Sequence, residues 1–128
     1  MRIVVTGSGG FIGKNLCLRL KEKEQYQVLE ISRETTKEQA SLFLSQADFV
    51  FHLGGVNRPK GLDNFQNGNV DLTSYVVETL ESHGRHVPLV LSSSAQVGQD
   101  NQYGKSKLAA EKEVKDYSKR TGAPHYIY

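Results

Sequence analysis

Short apolar runs rich in β-branched and aromatic residues recur along the chain at residues 3–5, 28–31, 49–53, 88–92 and 125–128. Runs of this length bounded by polar and turn residues read as buried strands. Between them, apolar residues recur at helical spacing over residues 11–23, about 38–45, 67–82 and 103–121. The last of these segments stops at Gly122, as a helix does at a glycine C-cap. Strands alternating with helices predict a parallel sheet with helices on its faces. Between residues 31 and 49 there is room for one helix, but hardly for a helix, a further strand and two loops. The sheet is therefore expected to be abbreviated by one outer strand. The final run looks like the opening of a strand with nothing behind it, so the chain reads as the N-terminal piece of something longer.

The junction of the first strand and first helix is the most informative stretch. Thr6 to Gly13 reads Thr-Gly-Ser-Gly-Gly-Phe-Ile-Gly, with Ile3-Val4-Val5 before it and Ile12, Leu16 and Leu20 at helical spacing within and after it. Gly7 can take the tight turn, Gly10 can let a pyrophosphate approach the backbone, and Gly13 can let the helix pack closely on the strand. The helix N-terminus adds unpaired N–H groups and a positive dipole end. The spacing is not G-x-G-x-x-G, and taken alone it equally suits an ordinary turn that needs a positive φ. Together with the alternation, it predicts a three-layer α/β fold, a Rossmann-type doubly wound parallel sheet.

Composition narrows the class. With 128 residues the chain suits one domain with a real core. The net charge of +2, with basic and acidic residues interleaved along the helices, is the pattern of solvated faces and leaves no nucleic-acid footprint. The single cysteine, Cys17, rules out an internal disulfide framework and reads as a small buried hydrophobe, in keeping with a reducing cytoplasm. No apolar stretch approaches membrane-spanning length, so no membrane partner is expected. His52, His83, His86 and His125 are scattered without metal-ligand spacing and are read as structural or surface residues, with no metal site.

A second chemical motif opens the last helix. Tyr103 and Lys107 stand four residues apart, which puts them on one helix face. A phenol with its ordinary pKa near ~10 is a poor acid or base at neutral pH, and an adjacent ammonium stabilises the phenolate and lowers that value. Upstream, Ser92-Ser93-Ser94 closes an apolar strand at the carboxyl edge of the sheet, where α/β proteins bind ligands. Each motif alone is common surface or loop chemistry; their order along the chain gives them weight.

In that order the chain resembles an extended short-chain dehydrogenase/reductase of the NAD-dependent epimerase/dehydratase family, from its first residue to its last. Thr6–Gly13 matches the family's Thr-Gly-x-x-Gly-x-x-Gly turn. Phe51-His52-Leu53-Gly54-Gly55 resembles the strand that ends beside the cofactor, and Asn69-Val70-Asp71-Leu72-Thr73 resembles the Asn-Val-x-x-Thr helix start. Asn69 itself is read as a cap or loop tether. The resemblance implies catalytic roles for Ser94 as the substrate-binding hydroxyl, Tyr103 as the acid/base, and Lys107 as its partner and a ligand of the nicotinamide ribose. It implies a cofactor surface of Gly7, Ser8, Gly10, Phe11, Ile12, Gly13, Ser32, Arg33, Leu53, Gly54, Gly55, Ser92, Tyr103 and Lys107. The stretches from Phe51 to Pro59 and from Gln99 to Leu108 are closer still to the reductase domain of bifunctional capsular-polysaccharide enzymes acting on UDP-deoxyhexosamines. Those enzymes add a zinc-dependent cupin domain, of which this chain shows no sign.

Several expectations follow from the resemblance. NAD-preferring members end the second strand in an acid that bonds the adenine ribose and repels an extra phosphate. Here Val28-Leu29-Glu30-Ile31 leads into Ser32-Arg33, which suits a 2′-phosphate, so NADP(H) is expected over NAD(H). The expected reaction is reduction of a 4-keto nucleotide sugar. Ala95-Gln96 after Ser94 cannot trade protons, which disfavours dehydration. The alternatives are a 4-epimerase with the same triad and a non-catalytic NADP-binding sensor. The chain alone is expected to be inactive, lacking the sugar-nucleotide pocket, and pairing through a four-helix interface built from residues 67–82 and 103–121 is the expected mode of any homodimer.

Overall fold

The structure, a computed structural model, describes residues 1–54, 71–93 and 102–128, and all their side chains except those of Gln102 and Tyr103. Within these residues the order is β1 (Arg2–Thr6), α1 (Phe11–Lys21), β2 (Gln27–Ile31), α2 (Lys37–Ser45), β3 (Phe49–His52), α3 (Leu72–Ser82), β4 (Leu89–Leu91), α4 (Gln102–Thr121) and β5 (His125–Ile127). All pairings are parallel, in the order β2-β1-β3-β4-β5. β1 is flanked by β2 on one side and β3 on the other, so the winding reverses beside it. Ligands of open α/β sheets bind at such a reversal. The register sets Ile31, Thr6, His52, Leu91 and Ile127 side by side along the carboxyl edge. With β2 at its edge, the described sheet is abbreviated as expected.

Strand alternation sorts the core into two layers. Val4, Leu29, Ile31, Val50, Leu89 and Leu91 face α2, α3 and α4, which contribute Leu44, Val76, Val77, Leu80, Val114 and Tyr117. On the other face Ile3 and Val5 meet Cys17 of α1, with Leu16, Leu20, Phe49 and Phe51 partly covered. The result is three layers, with α1 on one side and α2 to α4 on the other. Tyr117, wholly buried, ties α4 to the chain entering β4: its hydroxyl accepts from the Val87 N–H at 2.9 Å and donates to the Val87 carbonyl at 2.7 Å.

Some boundaries differ from those read in the sequence. α1 stops at Lys21, not residue 23, because Glu22-Lys23-Glu24-Gln25 offers nothing apolar and the Tyr26 N–H turns back to the Lys23 carbonyl. The start expected for the third helix, residues 67–70, lies outside the described residues; α3 is described from Leu72, with Asp71 at its N-cap. α2 opens on a capping box, Thr36 with Gln39. Among the described residues no helix is long and apolar enough to cross a membrane.

Candidate functional site

At the carboxyl edge, the turn between β1 and α1 lies against the exit of β3. Gly7 has φ 71°, and a Cβ there would sit 2.7 Å from the Gly54 nitrogen and 2.8 Å from the Leu53 carbonyl carbon. A Cβ on Gly13 would collide with the Gly7 carbonyl oxygen, so both glycines are demanded by close backbone approach. Gly10 is different. Its φ is an ordinary −81°, and the nearest atom to an added Cβ would be the Gly7 oxygen, at a comfortable 3.5 Å. Packing within the described residues does not require a glycine there, whereas a ligand lying on the backbone would.

Gly10 is also the N-cap of α1, without a side-chain cap bond and with no acid in the first turn. The first N–H groups of the helix thus lack intrahelical partners and keep their affinity for an anion. Phe11 and Ile12 beside them are 84% and 66% exposed, an apolar lip on a positive turn. The end of β2 adjoins it: the Ser8 N–H donates to the Ile31 carbonyl at 3.2 Å, and Ser32 Cβ is 3.9 Å from where a Gly9 side chain would begin. Ser32 is fixed by its N–H to Thr35 Oγ1 at 2.9 Å and by its hydroxyl, which accepts from the Glu34 N–H at 3.3 Å. Arg33 stands exposed in that turn. Uncapped N–H groups on a glycine turn, with a hydroxyl and an exposed guanidinium at the adjoining strand end, are groups that could hold a phosphate-bearing cofactor.

Glu30, the acid of β2, is committed elsewhere. Its carboxylate accepts from Lys21 Nζ at 2.9 Å, and that bond holds it below the usual carboxylate range. Lys21 is the last residue of α1, at the opposite end of the helix from the glycine turn. Burial, seconded by a hydrogen bond to Glu30, pushes the Cys17 thiol up to about 11, which makes it a poor nucleophile.

Lys107 is buried, 6% exposed, and its Nζ donates to the Ser92 carbonyl at 3.2 Å where β4 ends. Burial lowers its pKa, opposed by Glu111 one helical turn on. Tyr103 lies in the first turn of α4, one turn before Lys107, with its side chain outside the described residues. Ser94 and Gly55 lie wholly outside them. The structure thus brings together the glycine turn, Ser32, Arg33, Leu53, Gly54, Ser92 and Lys107 along one edge.

Sequence reasoning passed over His52 as one of several structural or surface histidines. It is fully buried at the centre of that edge. Its Nδ1 is hydrogen-bonded to Thr6 Oγ1 at 2.6 Å and its Nε2 to Thr73 Oγ1 at 2.8 Å, while Thr6 Oγ1 also accepts from the Gly54 N–H at 2.9 Å. Burial, with Lys107 adding to it, pushes its pKa down to about 3, so the ring is neutral at physiological pH. The available signal was strand alternation, which sets His52 on the inward face with Val50.

A doubly wound parallel sheet with a glycine turn at its winding reversal defines a Rossmann-type α/β fold. The chain belongs to the NAD dependent epimerase/dehydratase family, whose model matches residues 3–127. It is 41% identical over its full 128 residues to the UDP-2-acetamido-2,6-beta-L-arabino-hexul-4-ose reductase of Pseudomonas aeruginosa, covering 34% of that protein. The crystal structure of the capsular polysaccharide assembling protein CapF from Staphylococcus aureus matches with a TM-score of 0.86 and 41% identity, over all of this chain and 35% of that one. UDP-glucuronic acid 4-epimerase from Bacillus cereus, solved in complex with NAD, matches in fold with a TM-score of 0.85 at 21% identity, over 99% of this chain and 55% of that one. The chain therefore spans about a third of the length of its 41%-identical relatives.

Proposed function

We propose that this chain is the cofactor-binding and proton-donating part of an NADP-dependent reductase of a 4-keto nucleotide sugar, of the UDP-deoxyhexosamine type, serving surface-polysaccharide precursor synthesis. The observation that carries the reading is Lys107, a buried ammonium at the carboxyl edge one helical turn from Tyr103, with its Nζ on the Ser92 carbonyl. The 41% identity to a hexul-4-ose reductase supports the substrate class. In this reading Ser94 hydrogen-bonds the sugar carbonyl and Tyr103 gives its proton to the forming alkoxide. Lys107 makes that proton easier to give by stabilising the phenolate. The bound nicotinamide supplies the hydride. Ser32 and Arg33 take the 2′-phosphate, a role supported by the diversion of Glu30 to Lys21.

Parallel calorimetric titrations with NADP⁺ and NAD⁺ test the cofactor. Expected is binding with NADP⁺ preferred, and for the double variant Ser32→Asp, Arg33→Asn a shift of preference toward NAD⁺ by about tenfold or more, the worth of a charge-assisted bidentate pair. An unchanged preference rejects Arg33 as the reader of the 2′-phosphate. The reaction is tested in a protein carrying this segment and turning over a 4-keto UDP-sugar: Tyr103→Phe should abolish hydride transfer while leaving NADP⁺ binding in place.

A further inference from the structure

We propose that His52 is a positioning residue that sets the shape of the cofactor crevice through Thr6. The inference rests on the dinucleotide reading above and extends it to a group that touches neither cofactor nor substrate. Three elements end around the imidazole: β1 at Thr6, β3 at His52 itself, and the start of α3 at Thr73. A neutral imidazole has one donor and one acceptor nitrogen, and here each has a hydroxyl partner. The ring therefore works as a rigid two-ended strut in a site without water-facing surface.

The strut has a direction. Thr6 Oγ1, fixed by His52 Nδ1 at 2.6 Å, is the acceptor for the Gly54 N–H at 2.9 Å. Gly54 in turn is the backbone that a Cβ on Gly7 would strike. So the imidazole fixes the hydroxyl, the hydroxyl fixes the β3 exit, and the β3 exit forms a wall against which the glycine turn is pressed. An apolar side chain at position 52 would fill the space and leave the Thr6 hydroxyl free to rotate. A valine at position 6 would remove the acceptor and leave a partly buried N–H unsatisfied. In both cases the wall at Gly54 loosens while the sheet pairing of β1 and β3 survives.

Two readouts on the same variants separate this role from ordinary packing. The variants are His52→Leu, Thr6→Val and Thr6→Ser, with Tyr117→Phe as a destabilised control remote from the crevice. Amide hydrogen exchange should show the Gly54 N–H exchanging at least about tenfold faster in His52→Leu and Thr6→Val, with β2 amides no faster than in Tyr117→Phe. NADP⁺ should bind these two variants at least about tenfold more weakly, as follows when a site is held slightly out of shape, while Thr6→Ser and Tyr117→Phe bind within about twofold of the parent chain. Unchanged Gly54 exchange in His52→Leu overturns the inference whatever the affinities. Equal weakening by Thr6→Ser and Thr6→Val, or equal weakening by Tyr117→Phe, also overturns it. If His52→Leu does not fold, the contrast between Thr6→Val and Thr6→Ser decides. Binding of neither NADP⁺ nor NAD⁺, both by the folded parent chain and by a longer protein that carries this segment, rejects the dinucleotide reading and the crevice role together, while an exchange pattern as expected leaves the strut itself established.

Discussion

At the amino end of the sheet Asp48 accepts from the Arg2 N–H at 2.8 Å and from Arg85 at 3.0 Å, Arg85 also donates to the Ala47 carbonyl, and Arg120 grips Glu81 at 2.7 Å. At the carboxyl end stand glycines, hydroxyls and a neutral imidazole, with the ammonium of Lys107 drawn inside. The amino end uses its charges on itself and on solvent. The carboxyl end, among the described residues, draws the Lys107 side chain inside and leaves the N–H groups at the start of α1 without a side-chain cap. Among the described residues, the amino end closes on its own ion pairs, whereas the carboxyl end presents uncapped N–H groups beside a turn of glycines. The contrast predicts that damage at the amino end costs stability only, whereas damage at the carboxyl end costs ligand binding beyond its cost in stability.

Gly7→Ala should be the most damaging single change. The left-handed backbone costs an alanine about 1–2 kcal/mol, and the new Cβ must also push away the Leu53–Gly54 backbone, which overpacking data put at about 1–3 kcal/mol more. A binding titration should find NADP⁺ affinity lost by about a hundredfold, the scale of a misplacement of about 1 Å in a site. Gly122→Ala is the matching control, because Gly122 has φ 77° with no atom within 4 Å of an added Cβ. It should pay the conformational cost alone and bind as before. Equal affinity losses in the two variants would break the contrast.

Acid should find the two ends at different pH values. The folded pKa of His52 lies near 3, below the ordinary 6.5, so the unfolded chain takes up a proton that the folded chain refuses. Stability from this group is present above pH 6.5 and is lost as pH falls toward 3, by about 2 kcal/mol at pH 5. Denaturant melts from pH 7 to pH 5 should show that loss, and His52→Leu should flatten it. A parent curve flat over this range would mean that the ring is reached by water.

Tyr117→Phe should cost about 1–3 kcal/mol, since it leaves the buried Val87 N–H and carbonyl without their hydroxyl partner. It lies in the core between α4 and β4, so NADP⁺ affinity should not move. The pair of Tyr117→Phe and Thr6→Val, each removing one buried hydroxyl and expected to differ in affinity, is the sharpest form of the comparison.

The strands, their parallel arrangement and the glycine turn were legible because each depends on local pattern: β-branched runs, helical spacing and glycines at a strand–helix junction. Cys17 was legible as a small buried residue for the same reason. His52 was not, since its identity as a strut depends on Thr6, 46 positions away, and Thr73, 21 positions on, and nothing local marks a hydroxyl as its partner. The commitment of Glu30 to Lys21 was equally hidden, being a tertiary pairing between α1 and β2. Of the expected triad, Lys107 can be followed to a buried position, while Ser94 and the Tyr103 side chain lie outside the described residues.

Asp48→Asn should be the smallest effect. Its carboxylate is held below its ordinary 3.8 by the Arg2 N–H first, with Arg85 helping, so its contribution is present above pH 3.8 and is lost as pH falls through the lower folded value. The side chain is 44% exposed, which puts the pair in the class of surface ion pairs worth about 0–1 kcal/mol. Stability at pH 7 should fall by less than about 1 kcal/mol. The loss should shrink further in high salt, because exposed charges are screened. Cofactor affinity should be untouched, since Asp48 precedes β3 and the crevice follows it. A clear drop in NADP⁺ affinity in Asp48→Asn would mean that β3 transmits strain from one end of the sheet to the other, and that the two ends are not independent.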